Sequence, residues 1–439
     1  VSWTFHPELL ARPVPRYTSY PTAAEFGDVG AEAMAAALAA VADDAGVSLY
    51  LHIPYCHEIC WYCGCNTGAA TRTQRVGAYL DALHAEIDLV AAALGGRGRA
   101  RRIAFGGGSP NALSPAQFGT LLAHVRSAFG AEAASISIEL DPRTLEEPWY
   151  EAIAEARVER ASLGVQTLDP QVQAAIGRIQ DEVLIRRTVA ALRNADVASI
   201  NFDLMYGLPG QGLGELEATL DATAEMAPER IALFGYAHVP HMIPRQRRID
   251  AALLPDVAAR FGQAEFGHRF LTRAGYDPIG FDHFARPGDA IAVAAREKRL
   301  HRNFQGFTDD GSQVLIGLGA TAISQFPGLI VQNEKNSGRY RMLATSGRLT
   351  ASRGIVRTCD DHRRGKIVES LLCHGEAHAG GHRDADLTER LAPFEALGLL
   401  AWDGPMLRIA EAGRPYARAI ASVFDVYRQP EGRRFSNAI

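Results

Sequence analysis

Four cysteines fall within ten residues, Cys56-His57-Glu58-Ile59-Cys60-Trp61-Tyr62-Cys63-Gly64-Cys65, directly after the strand-like run Leu49-Tyr50-Leu51-His52-Ile53-Pro54. Elsewhere the chain has only Cys359 and Cys373. A C-x3-C-x2-C spacing lets three thiolates hold three irons of a 4Fe–4S cube and leaves the fourth iron without a protein ligand. Such an iron can bind the amino and carboxylate groups of S-adenosylmethionine, and one electron then splits the sulfonium into a carbon radical. The spacing points to radical chemistry.

Other uses of clustered cysteine fit less well. Structural zinc asks for two cysteine pairs or a Cys/His set, and no second C-x2-C follows. A disulfide framework would go with secretion, yet no signal peptide is expected at the start, and six cysteines in 439 residues is sparse. A ferredoxin-type carrier would supply four ligands in its own run, and Cys65 follows Cys63 too closely to chelate the same cube.

Further candidates lie downstream. Gly106-Gly107-Gly108-Ser109-Pro110 would let a backbone approach a ligand where a β-carbon would clash, and its carbonyls could accept from an ammonium group. The run lacks the G-x-G-x-x-G and G-K-[ST] forms of nucleotide loops. Glu139 and Asp203 are expected to meet a cationic or hydroxyl-bearing ligand, because buried carboxylates need partners. Asp141, before a proline, reads equally well as a turn residue. Gln166 and Arg178 belong to the same rim. The basic runs 245–248 and 296–302 are either solvated faces or arginine forks for a polyanion. Cys373-His374 through His382 offers a cysteine and three histidines, but glycine and alanine fill the gaps and a flexible loop explains it without zinc.

These residues need a frame. From residue 48, short β-branched runs alternate with segments of helical spacing. Strands are expected at Ser48–Ile53, Arg102–Phe105, Ser135–Leu140, Arg160–Val165, Ser199–Met205 and Ile231–His238. Helices are expected at Arg75–Leu94, Pro115–Phe129, Pro148–Ala156, Glu182–Ala195, Leu213–Glu225 and Pro255–Ala274. Continuous apolar strands with crossover helices mean a parallel sheet. Six such units make an α/β fold, a partial (β/α)6 barrel, whose chemistry gathers at the C-terminal strand ends. The cysteine loop, the glycine run, Glu139, Gln166, Asp203 and Ala237 each follow a different strand. The predicted divisions are a proline-rich arm over residues 1–44, the barrel with its extension over 45–340, and a mostly helical, winged-helix-like unit over 341–439. In the last, two helices precede a hairpin turning at Asp403-Gly404.

Bulk numbers agree with an enzyme. Hydrophobic residues make up 47% and charged ones 22%, enough for a sizeable core. No apolar run approaches the ~18 residues of a membrane helix, and a net charge of −5 argues against a nucleic-acid binder. Clustered, reduced cysteines imply the cytoplasm.

The motif Cys56-x3-Cys60-x2-Cys63-x-Cys65 after Tyr50-Leu51-His52-Ile53-Pro54 resembles the oxygen-independent coproporphyrinogen III dehydrogenases (also called oxidases), a family of radical S-adenosylmethionine enzymes. The likeness covers almost the whole chain. It includes Arg16-Tyr17-Thr18-Ser19-Tyr20-Pro21-Thr22-Ala23, Gly164-Val165-Gln166, Asp203-Leu204-x-Tyr206-Gly207-Leu208-Pro209, Tyr236-Ala237-His238-x-Pro240, Asp282 to Pro287 and His301 to Gly306. The resemblance implies decarboxylation and oxidation of two propionates of coproporphyrinogen III to vinyls, giving protoporphyrinogen IX in haem biosynthesis by way of a 5′-deoxyadenosyl radical. It implies a 4Fe–4S cluster on Cys56, Cys60 and Cys63, and two molecules of S-adenosylmethionine. Matched positions assign Tyr50, Gly107, Glu139, Ala237 and Ile323 to the first molecule. Tyr62, Gly64, Gly108, Ser109, Gln166, Arg178 and Asp203 are assigned to the second. Tyr50 and Cys65, the latter outside the cluster, carry over as catalytic residues. An external electron donor and a monomeric state are also implied.

Departures from the family pattern are small: Phe105 for tryptophan, Ser109 for threonine, Tyr62 for phenylalanine, and a divergent stretch around 373–382. The related haem chaperone is the nearest alternative, but it usually lacks a cysteine matching Cys65 and the Tyr17–Thr22 arm. A cluster-bearing regulator that binds nucleic acid through the C-terminal unit is disfavoured by the acidic charge and the lack of a basic recognition helix.

Overall fold

The computed structural model describes residues 2–70 and 73–428. Six β/α units form where the hydrophobic periodicity places them. Parallel strands Gly46–Ile53, Arg99–Gly107, Ser135–Leu140, Val158–Gln166, Ser199–Tyr206 and Arg230–Gly235 lie side by side in chain order. Helices Thr73–Leu94, Pro115–Phe129, Glu147–Ala156, Glu182–Asn194, Leu213–Met226 and Val257–Arg273 follow them in turn. Local chemistry sets the helix ends. Ser114 and Gln117 form a reciprocal capping box before Pro115, and Gly130 closes that helix in the left-handed conformation.

Two features depart from the sequence expectation. The strands are not apolar throughout: burial alternates along Ser135–Leu140 and through most of Ser199–Tyr206. Because successive side chains point to opposite faces, Ile136, Ile138 and Leu140 lie buried with Phe202 and Leu204, whereas Ser135, Ser137, Glu139, Asn201 and Asp203 line an internal cavity of about 280 Å³. The barrel interior is therefore polar. Second, a seventh parallel strand, Val314–Leu318, pairs with the first strand on its outer side. Its five residues are all buried, and no regular crossover helix announces it. Beyond it the antiparallel strands Ile323–Phe326, Leu329–Asn333 and Ala351–Val356 extend the sheet past residue 340. The strand order is linear, so the barrel is open.

Phe105 shows how the frame is locked. Its ring lies 5.1 Å from Phe118, which in turn lies 5.3 Å from Trp149, an aromatic chain joining the second strand to two helices. Each such pair adds roughly 0.5–1.5 kcal/mol beyond area burial.

At the opposite end from the cysteine loop, a segment from residues 309 to 312 closes the barrel. Asp309 takes both guanidinium nitrogens of Arg102 at 3.0 and 2.8 Å and Arg160 at 3.3 Å, while Asp310 accepts from Ser48. The two arginines hold the Asp309 carboxyl well below the usual range against the cost of burial. Its stabilising effect is thus complete above the ordinary carboxylate pKa near 4 and is lost as pH falls through the depressed value. Asp309→Asn should cost roughly 2–4 kcal/mol near neutral pH. Thermal melts should show the gap to wild type constant above about pH 5 and closing in acid.

The N-terminal arm ties the sheet to the C-terminal unit. Tyr17 donates to Asp425 at 3.0 Å, Tyr416 donates to the Thr4 carbonyl at 2.7 Å, and Gly27 exchanges backbone hydrogen bonds with Gly354. The C-terminal unit contains helices Cys359–His374 and Ala385–Ala396 and a three-stranded sheet from Glu376–His378, Met406–Ile409 and Leu400–Asp403, a winged-helix-like arrangement. Among the described residues no helix is long and apolar enough to cross a membrane.

Candidate active site

The first strand ends at Ile53, and the chain then forms a closed loop. Tyr55–Cys56 pairs with Gly68–Ala69, and the neck is fixed by Gly68 N–H to Pro54 O at 2.8 Å and Ala70 N–H to Cys56 O at 2.9 Å. Within it Cys60 is buried, Cys56 and Cys63 are half-buried, and Cys65 is exposed.

The glycine run passes directly beneath. Gly108 N–H donates to Ile53 O and Ser109 N–H to Tyr55 O, both at 2.8 Å. A β-carbon on Gly108 would stand 2.5 Å from the Tyr55 carbonyl oxygen, and one on Gly107, whose φ is +116°, would stand 2.7 Å from the His52 ring. The glycines are thus required by close packing of strand end on loop, a cause that the ligand-approach reading did not foresee. Gly108→Ala is expected to push Tyr55–Cys56 outward at roughly 1–3 kcal/mol. Iron retained after anaerobic reconstitution and desalting should fall several-fold.

Electrostatics around the thiols are uneven. Burial, with the Cys63 and Cys60 sulfurs nearby, pushes the Cys56 thiol up to about 12. A hydrogen bond from the Cys65 side chain pulls the Cys63 thiol down, and the Cys65 amide also donates to its sulfur at 3.4 Å. The same side-chain bond pushes Cys65 itself well up. Cys60 Sγ accepts from two guanidinium groups, Arg178 Nη1 at 3.2 Å and Arg143 Nη2 at 3.4 Å. Asp141 holds both arginines, accepting from Arg143 Nη2 at 2.6 Å and Arg178 Nη2 at 3.1 Å. Burial and the neighbouring sulfurs hold Cys56 against ionisation, so the loop suits a centre that supplies positive charge. Among the described residues no His, Cys, Asp or Glu group converges on a point for a single metal ion. A cube spreads its ligands over separate irons, and the donor set fits it better than zinc.

Around this loop lie the rim residues. Glu139 accepts from Gly107 N–H at 3.1 Å, and burial together with the Asp203 charge pushes its carboxyl up to about 7. Asp203 accepts from Ser162 at 3.1 Å and Asn201 at 2.9 Å, and burial raises it too. Tyr50 is buried, its hydroxyl 3.1 Å from His52 Nδ1 and its ring 4.7 Å from Phe304, with Glu139 and Cys65 nearby. It sits opposite Gly317 in the sheet, and Gly317 abuts the Ile323 carbonyl. Tyr62 lies beside Arg178, Cys60 and Cys63. The Gly64 α-carbon faces Ile243. Ser109 is buried and donates to Asn111. Gln166 ends its strand at φ +67°, a conformation side-chain-bearing residues seldom adopt and one that re-aims its side chain. Ala237 O accepts from Gln246 Nε2 at 3.1 Å, and the same amide donates to Tyr62 O at 2.8 Å. Residues from every barrel strand end thus meet in one mouth.

Sequence reasoning missed several members. Asp141 is the expected turn residue, accepting from Arg143 N–H, and also the anchor of two arginines. Arg143, Asn111 and Gln246 were not singled out. Arg143 lies only two residues past Asp141, but nothing local signals its reach to Cys60. In run 245–248, Arg247 and Arg248 are exposed, whereas Arg245 donates to Thr67 Oγ1 at 3.0 Å and to the Cys65 carbonyl at 3.3 Å, bracing the cysteine loop. In the second basic run, Arg296 pairs with Asp277, Lys298 with Glu376 and Arg299 with Glu297, whereas Arg302 donates to the Tyr17 and Arg16 carbonyls. Cys373 is buried at the end of a helix, near Arg302.

Comparison with known proteins agrees with this geometry. The family model described as Radical SAM superfamily matches residues 50–223. The chain is 43% identical to the oxygen-independent coproporphyrinogen III oxidase of Bradyrhizobium diazoefficiens, over 97% of each. It is 38% identical to the Escherichia coli enzyme of the same name, over 97% of this chain and 96% of that one. A solved structure of coproporphyrinogen III oxidase from Escherichia coli, described as a radical SAM enzyme, superposes with a TM-score of 0.90 at 36% identity, covering 97% of this chain and all of that one. On its cysteine loop, its open barrel and this end-to-end likeness, the chain belongs to the oxygen-independent coproporphyrinogen III oxidase family of radical S-adenosylmethionine enzymes.

Proposed function

We propose that this chain converts two propionate side chains of coproporphyrinogen III to vinyl groups without oxygen, giving protoporphyrinogen IX for haem biosynthesis. The observation that carries the reading is the three-cysteine loop, backed by two buried arginines, opening onto Glu139 and Asp203 in one mouth. Cys56, Cys60 and Cys63 would hold a 4Fe–4S cluster. Tyr50, Gly107, Glu139, Ala237 and Ile323 would hold one S-adenosylmethionine, and Tyr62, Gly64, Gly108, Ser109, Gln166, Arg178 and Asp203 a second. When bound, cluster and sulfonium supply a one-electron cleavage whose carbon radical takes hydrogen from the propionate carbon next to the pyrrole.

The chain's own residues prepare that site. Glu139 offers a carboxylate counter-charge to a cationic ligand and gives up its proton as the ligand enters. Gln246 bridges Tyr62 and Ala237 and so spaces the two proposed subsites. The Tyr50 and Phe304 rings wall the mouth against water. Arg16, Arg260 and Arg418 line a cavity with Ala237, Tyr206 and Asp282, and their charge suits the carboxylates of a tetrapropionate. Tyr50 and Cys65 are the residues assigned to the reaction itself. A cytoplasmic setting, a monomer and an external one-electron donor complete the reading.

The test is anaerobic reconstitution with iron and sulfide, then incubation with coproporphyrinogen III, S-adenosylmethionine and a reductant, with products separated by chromatography. Protoporphyrinogen IX is the expected product. Haem binding without turnover would instead identify a haem chaperone.

A further inference from the structure

We infer that Arg143 is a positioning residue that sets the reduction potential of the cluster through Cys60. The inference rests on the proposed cluster ligands and goes beyond them. Arg143 lies between solvent and the loop: Nη1 pairs with Glu58 Oε2 at 2.7 Å, while Nη2 reaches Cys60 Sγ at 3.4 Å and Asp141 Oδ2 at 2.6 Å. Its side chain is 6% exposed, so the charge acts through a poorly screened medium. The other arginine on this sulfur, Arg178, belongs to a proposed S-adenosylmethionine subsite, whereas Arg143 hydrogen-bonds to Glu58, Asp141 and Cys60 and is assigned to neither subsite. Arg143 is the separable half of the pair.

The direction follows from charge. Reduction adds one electron and one negative charge to the cube, with no bond broken and no proton moved. A fixed cation hydrogen-bonded to a ligand sulfur stabilises the more negative form, and such bonds are among the terms that set cluster potentials. Asp141 cancels part of the two arginine charges and leaves a net positive contribution. Glu58, 65% exposed, opposes it weakly through solvent. The electron comes from a one-electron donor such as dithionite.

The test is an anaerobic potentiometric titration followed by electron paramagnetic resonance on reconstituted holoenzyme, with iron and sulfide measured on every sample. Arg143→Gln should make reduction roughly tenfold less favourable, about 59 mV lower for a one-electron couple. Arg143→Lys should recover most of that shift. Glu58→Gln, at an exposed position, should move the midpoint the opposite way by less. A fully loaded Arg143→Gln protein with the wild-type midpoint overturns the inference. If that variant fails to retain four irons, Glu58→Gln decides: an unchanged or lowered midpoint overturns the inference, and a raised one supports it. Wild-type protein that forms no cube would defeat the cluster reading itself, a different result.

Discussion

Cys60→Ala should reduce both iron content and S-adenosylmethionine cleavage to background. Cys60 is the buried member of the three, and its sulfur is the acceptor for Arg178 and Arg143. Removing it deletes one of three anchors and leaves two buried guanidinium groups without their sulfur acceptor, which disorders the loop. Cys65→Ala is the informative contrast. Cys65 is exposed, lies outside the C-x3-C-x2-C set and hydrogen-bonds to Cys63, so its removal should keep the cube while turnover falls. Iron and sulfide analysis, the cubane resonance and 5′-deoxyadenosine release measure both outcomes. Cleavage by a cluster-free Cys60→Ala protein would refute the assignment.

Glu139→Gln should weaken S-adenosylmethionine binding tenfold or more at pH 8, where the wild-type carboxyl is ionised. In the ligand-free protein the stability effect has the opposite sign. The carboxyl is raised from 4.5 to about 7 by burial and by Asp203. The folded form therefore holds its proton more tightly than the unfolded form, and the stabilisation present in acid is lost as pH rises through 7. Relative to the variant, the ligand-free wild type should lose roughly 1–3 kcal/mol between pH 5 and pH 8. Calorimetry in two buffers of different ionisation heat should also detect a proton released on ligand binding below pH 7 in the wild type only. A variant binding as tightly as wild type would remove Glu139 from the site.

Most of what could be read along the chain was short-range. Three thiols spaced by three and two residues form a chelate whatever surrounds them, so the cluster reading needed no fold. Apolar spacing at periods of two and 3.6 placed the six strands and their helices close to where they lie. The six segments shared with the family extended this to an activity. Other features depend on which distant segments meet. The polarity of the barrel interior follows from curvature of the sheet, which turns Ser137, Glu139, Asn201 and Asp203 toward one cavity; the same strands, read singly, fit burial on both faces. Val314–Leu318 joins as a seventh strand because pairing with Val47–Leu51 satisfies a backbone that no local pattern had assigned. The bond from Arg143 to Cys60 spans 83 residues, and that from Arg178 spans 118. Spacing along a chain limits which neighbours can chelate, whereas register and crossover choose which remote charges stand beside them, and those charges tune the chemistry.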